Sequence, residues 1–297
     1  MQVIKPIIFL DSQLISTTAV ETYPTYAAGT TYALNAFVVY LNKVYQSLQA
    51  SNTGHTPDTS PTFWQYISVG NRLAMFDSEV STTTNATTSL TTVVSPAVII
   101  NSLAYLELQG TQLQVEVRDG AGGEIIYNRT IALDSTIILD WYMYFFEPYN
   151  PKTEVILNDV PPYLNSRITT TLTGASGSTV KIGSMIYGTV YTLGTTQYGV
   201  SSGIRDYSVK QTDDFGNTTF LQRAFSKRME ANVFMNNTAL AFNQRLLTDL
   251  RAIPAVWIGS TENAFSPLTV FGYYRDFNID ISYPTFSLCR IEIEGLI

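Results

Sequence analysis

Acidic side chains are the residues of this chain best placed to do chemistry, because the other usual groups are nearly missing: the sequence holds one histidine, His55, and one cysteine, Cys289. Sugar hydrolysis by general acid and base needs two carboxyl groups flanking the scissile bond. Asp276, Asp280 and Glu147 lie in strand-like aromatic surroundings from which two could face one another. Nothing in their spacing selects a pair. Asp213 and Asp214 precede Phe215-Gly216-Asn217, which reads first as a hairpin loop. The run Arg118 to Glu124 reads as another hairpin tip, and it lacks the Gly-Lys-Ser/Thr ending of a phosphate-binding loop. One Cys and one His cannot build a zinc site of the usual kind or close an intrachain disulfide. A nucleophile with a histidine base would have to recruit His55 from the loop Asn52 to Pro57, where a solvent-facing position is the plain reading and a sugar or partner contact the other. The expectation is a protein that is not an enzyme, with no catalytic residue, metal or cofactor.

The element that holds His55 has the most regular spacing in the chain. Between Pro24 and Ile67 fall Tyr26, Tyr32, Val38, Tyr40, Tyr45, Asn52, Gly54, Pro57 and Trp64. Short strands are expected at Thr31 to Tyr32 and Phe37 to Tyr40, a tight turn at Leu41-Asn42-Lys43, a returning strand at Val44 to Leu48, and a loop closed by Trp64. A module this small buries little surface, so large aromatics must supply most of its core. Tyr26, Tyr32, Tyr45 and Trp64 are the candidate carbohydrate-binding residues; the same rings are equally the candidate core.

This pattern resembles the small chitin- and cellulose-binding modules of families 5 and 12. Tyr32, Val38, Tyr40, Lys43, Tyr45, Asn52, Gly54, Pro57 and Trp64 match their consensus. Tyr26 stands where those modules usually have Trp, and Asn35 and Asn42 where they have turn glycines; Asn tolerates the left-handed backbone that such turns require. The resemblance implies a three-stranded aromatic β-module and sugar binding through exposed rings.

Composition bounds the remainder. Hydrophobic residues make up 45% and charged ones 14%, and 19 Tyr with 15 Phe push the chain toward strands. A net charge of -7 argues against nucleic acid as a partner, since no basic stripe displaces counterions from phosphate. Ile7 to Leu10 is too short for a signal sequence and is halted by Asp11, and no apolar run is long enough to enter a membrane as a span. The organisation expected is a lead-in at 1–21, the small module at 22–69, and a β-sandwich assembly domain at 70–297 with one helix at about 238–252, capped by Asn236 to Thr238 and stopped by Pro254. Short strands are expected at Arg72 to Phe76, Thr91 to Val94, Ser102 to Leu108, Leu113 to Val117, Glu124 to Tyr127, Thr136 to Tyr144, Glu154 to Leu157, Arg167 to Leu172 and Thr179 to Tyr187. Lys227 to Phe234, Val256 to Gly259, Thr269 to Ser282 and Phe286 to Glu294 continue the series. Asp140 to Pro148 is aromatic on both strand faces and is expected to be buried on both sides or against a neighbour. Alternation around Cys289 marks it as a buried structural thiol.

The stretch Phe271 to Leu296, with Asp140-Trp141, Phe145 to Pro148, Thr196 to Gly199 and Asp206 to Ser208, resembles a family of tail-region proteins of siphophages and prophages. That likeness spans nearly the whole chain. It implies a distal-tail-like subunit of a homo-oligomeric ring in the virion tail tip or baseplate, assembled in the bacterial host cytoplasm, with tail tube and baseplate hub proteins as partners and host-surface glycan as a further one. A tail fibre or receptor-binding adhesin is the alternative. Arg205-Asp206-Tyr207 and the cluster Arg223, Lys227 and Arg228 read either as intersubunit salt-bridging groups or as a solvated strand face.

Overall fold

The computed structural model describes residues 1–77, 79, 82–136, 138–212, 215–262, 267–281 and 283–296. Strands take 49% of the chain and helix 9%, so the mostly β reading holds. The chain divides into two compact units, Met1–Ile7 with Tyr187–Ile297, and Ile8–Ile186. This partition cuts across the expected segments: 70–297 is shared between the units, and the aromatic module lies inside the second.

In the first unit long antiparallel strands carry alternating side chains. Phe225–Asn236 pairs with Phe286–Gly295, which pairs with Thr269–Asp280, which pairs with Ala255–Ile258. The next strand is Gln2–Pro6, the segment expected to be only a lead-in. It sits between Ala255–Ile258 and the residues of Ser184–Thr192 that belong to this unit, with Val3 opposite Tyr191 and Trp257. On the inner face Met229, Val233, Trp257, Cys289, Ile291 and Ile293 form one cluster with Leu246, Leu247 and Leu250. Leu246 and Leu247 belong to the expected helix, Leu240–Asp249, and Leu250 is its C-cap. Asn236 caps the 3-10 turn that leads into it by accepting from the Thr238 amide at 3.0 Å, and Pro254 follows its end. Alternation about Cys289 is as expected: the thiol is buried, and burial pushes its pKa up to about 11.

The second unit is a sandwich. One sheet runs Ile125–Ala132, Gln112–Asp119, Ser166–Thr173, Ser89–Val94, Leu14–Thr17 in spatial order. Its inward residues, among them Leu90, Val94, Leu113, Val115, Ile168 and Leu172, are fully buried. Ser102–Leu106 is buried at every position and pairs with Val155–Leu157. Tyr105 of that strand reaches Thr170 of the first sheet with a 2.7 Å hydroxyl hydrogen bond, which fixes how the two layers meet.

Two expected strands are helical turns instead. Arg72 to Phe76 contains the 3-10 helix Ala74–Phe76, because the amides of Leu73 and Ala74 both turn back to the Gly70 carbonyl. Asp140 to Pro148, expected as a strand buried on both sides or against a neighbour, contains the helix α1, Trp141–Phe146, and α1 buries none of its residues within this chain. The reason is local. Asp140 is extended and accepts from the Met143 amide at 2.8 Å, an N-cap, while Glu147 before Pro148 returns to extended backbone and ends the helix.

Candidate functional site

The aromatic module is built on Phe37–Tyr40, Lys43–Ser47 and Trp64–Val69, paired in that order. Tyr40 opposes Lys43, so Leu41 and Asn42 alone make the hairpin turn, and both have positive φ (48° and 59°) as a mirror-type two-residue turn demands. Asn35 is likewise left-handed at φ 64°, so both Asn positions behave as the turn glycines they replace. Around these turns the four candidate residues converge. Trp64 is only 2% exposed, Tyr32 and Tyr45 are also buried, and Tyr26 is partly buried against the same cluster. The Trp64 ring meets Tyr26 and Tyr32 edge-on at centroid distances of 5.9 and 5.2 Å, and Tyr40 meets Tyr26 at 82°. Edge-to-face packing of this kind is how aromatics fill a core. A pyranose needs an open ring face, and these rings spend theirs on one another.

Their polar ends are tied to backbone. The Trp64 indole donates to the His55 carbonyl at 2.8 Å, and the Tyr32 hydroxyl accepts from the Ala27 amide at 2.7 Å. Burial, with the Asp58 carboxylate adding to it, raises the pKa of the Tyr45 phenol. Tyr26 differs: its hydroxyl is buried with no hydrogen-bond partner. His55 is not a free loop side chain. It stacks on Phe63 with planes 9° apart, and its Nδ1 lies 3.0 Å from Oδ1 of the buried Asn52. The open rings of the module are ones that its spacing did not single out, Tyr66 with Lys43 at 5.9 Å from its centroid, and Tyr23 stacked on Phe37.

Asp276 and Asp280 share one strand, Thr269–Asp280, and both are exposed; Asp213 and Asp214 lie outside the described residues. Glu147 is the C-cap of α1. The basic residues are largely answered within their own sheet: Arg205 pairs with Glu294 at 3.0 Å, Arg228 with Glu230 and Glu292, and Arg290 with Glu230 and Glu292. A register shift between Tyr274 and Asp276 places Arg275 at a bulge, beside a cleft of about 280 Å³ that it shares with Arg205, Arg228, Glu292 and Glu294. A larger groove of about 600 Å³ in the same unit is lined mainly by Thr, Gly and apolar residues, Tyr198 and Val200 among them.

The feature that spacing concealed is the segment carrying α1. Its base is a hydrogen-bonded stem: the Lys152 amide donates to the Leu133 carbonyl, the Ser135 amide to the Asn150 carbonyl, and the Asn150 amide to the Thr136 hydroxyl. Tyr149 adds a hydroxyl bond to the Leu133 carbonyl. At the tip Trp141, Tyr142, Tyr144, Phe145 and Phe146 are between 61 and 79% exposed. They touch chiefly each other, as in Tyr142 with Phe146 at 4.8 Å and Trp141 with Tyr144 at 6.1 Å. Asp140 before the run and Pro148 after it are the sequence signals that could have found this capped helix. No protein-family model, curated protein or solved structure matches the chain.

Proposed function

We propose that this protein is a structural subunit of a bacteriophage tail tip or baseplate, a distal-tail-like component that joins tail tube to hub by protein contacts. The observation that carries the assembly half of this reading is the exposed aromatic tip on its hydrogen-bonded stem, since soluble monomers rarely leave a contiguous apolar patch of that size in water. A second projection supports it. The hairpin Val209–Thr212 with Thr218–Leu221 holds Phe220 at 73% exposure in the first unit, with Phe225 also open beyond it. The tail assignment itself rests on the motifs Asp140-Trp141, Phe145 to Pro148 and Phe271 to Leu296. In this reading the aromatic module is a rigid outward ornament whose inner rings hold it together; any glycan contact falls to its open rings, Tyr66 and Tyr23, and is weak per copy. Imaging of the purified chain, alone and mixed with tail-tube and hub proteins, tests the proposal: closed rings or capped tubes support it, and monomers under every condition contradict it.

A further inference from the structure

We infer that the groove of about 600 Å³ in the first unit is a binding site for a neutral, hydroxyl-rich ligand, a short oligosaccharide. It is a site apart from the aromatic module, and it stands whether or not the tail reading does. Its volume falls in the ~300–1,000 Å³ range of small-ligand sites. Strand ends build it. One wall follows the strand Ser184–Thr192 and reaches Val200; the other follows Ala255–Ile258 and reaches Glu262. The Thr196 hydroxyl donates to the Gly259 carbonyl at 2.6 Å and so ties wall to wall, while the Gly259 amide donates to the Leu268 carbonyl at 2.8 Å. The groove is therefore formed before a ligand arrives, and little ordering cost remains at binding.

The lining selects the ligand. Thr192, Thr195, Gln197, Thr261 and Glu262 line the groove with side chains that make no hydrogen bond among the described residues, so hydroxyl, amide and carboxylate groups on both walls stand open. Val200, Ile258 and Leu268 add apolar surface beside them, and the Tyr198 ring is 98% exposed. A pyranose offers the matching combination, an apolar C–H face ringed by hydroxyls that both donate and accept. A phosphate or other anion finds no answer there. No Lys, Arg or His side chain lines the groove, and the Met1 ammonium is engaged by the Gly194 carbonyl at 2.7 Å. An extended peptide would bind by adding main-chain hydrogen bonds to a free strand edge. Here the Gly259 amide and carbonyl are both taken, and the Gln197 amide donates to the Asn232 carbonyl at 2.8 Å. Recognition is left mainly to side chains, which suits hydroxyl groups better than a peptide backbone.

Saturation-transfer NMR on the full chain tests this with maltotriose, cellotriose and triacetylchitotriose, each titrated to about 20 mM, enough to populate a millimolar contact. At least one of the three should bind. Gln197→Ala with Thr261→Ala should weaken that binding by about 10-fold or more, since two open polar groups are lost. Should the double variant misfold, Tyr198→Ala repeats the comparison, because a ring 98% exposed has almost no packing to lose. Tyr23→Ala with Tyr66→Ala, which removes the open rings of the module, should bind as the wild type does. Absence of binding by all three sugars overturns the inference and leaves the tail reading standing. So does binding that is lost with Tyr23 and Tyr66 but kept by both groove variants, which assigns the sugar to the module. A groove that takes inorganic phosphate or trialanine and none of the sugars belongs to an anion or a peptide, and that result overturns it as well.

Discussion

Leu41 shows how closely single residues follow the backbone demands of the module, and where they fall short. It is an exposed leucine at φ 48° in a turn whose other position is Asn. A side chain other than Gly, Asn or Asp costs about 1–2 kcal/mol in the left-handed region. Leu41→Asn should therefore stabilise the module by about 1 kcal/mol in chemical denaturation, since its exposed side chain gives up little packing. A destabilised variant would show that Leu41 makes a contact worth more than its strain. Tyr26 offers the complementary test. Its buried hydroxyl lacks a partner, so Tyr26→Phe removes a desolvated group and should match or exceed wild-type stability, within about 1 kcal/mol. Trp64→Ala, by contrast, should cost about 3–5 kcal/mol, because it opens the centre of the ring cluster and frees the His55 carbonyl. Equal losses for both variants, read from urea unfolding, would mean the Tyr26 hydroxyl is bonded after all.

At the scale of elements, the module is joined to the rest of the second unit by a narrow clamp. The Asn71 amide donates to Glu21 Oε2 at 2.9 Å, and the Asn71 side chain donates to the carbonyls of Val20 and Asn85. The two ends of the insertion therefore already touch. A side chain at position 70 would have its Cβ 2.8 Å from Glu21 Oε2 and 3.1 Å from the Asn42 carbonyl oxygen, so the Glu21 carboxylate that holds Asn71 would have to shift. Removing 22–69 and joining 21 to 70 with a short Gly/Ser link should preserve cooperative unfolding and shift the melting temperature by no more than about 4 °C, since closing a short loop costs little. Loss of cooperativity would place the module within the main core. Elements whose cause is local were legible from sequence: a tight turn at Leu41-Asn42-Lys43, which the structure shortens to Leu41 and Asn42, the alternation about Cys289, and the Asn-capped, Pro-stopped helix. Gln2–Pro6 was not, because its strand identity comes from Tyr191 and Trp257, far away along the chain. Nor was α1, since an apolar run of six, five of them aromatic, fits a buried strand as well as a short helix, and only its two ends decide. The candidate sugar rings were correctly brought together by their spacing, yet spacing alone does not say whether a ring faces its neighbours or water.

For the whole molecule, the account joins two kinds of surface. The sheet formed by Thr269–Asp280, Phe286–Gly295 and Phe225–Asn236 answers much of its charge internally through Arg228, Glu230, Arg290 and Glu292. Exposed ion pairs of this kind add little stability. The α1 tip gathers five exposed aromatic rings in six residues and the hairpin bearing Phe220 holds another, as expected of a subunit that completes itself on neighbours. The most direct test of that claim is negative-stain imaging of the purified full-length chain, alone and with tail-tube and hub proteins. The account expects closed, hollow rings of uniform diameter, or such rings seated on tube ends. A field of isolated particles of monomer size in every mixture would contradict it.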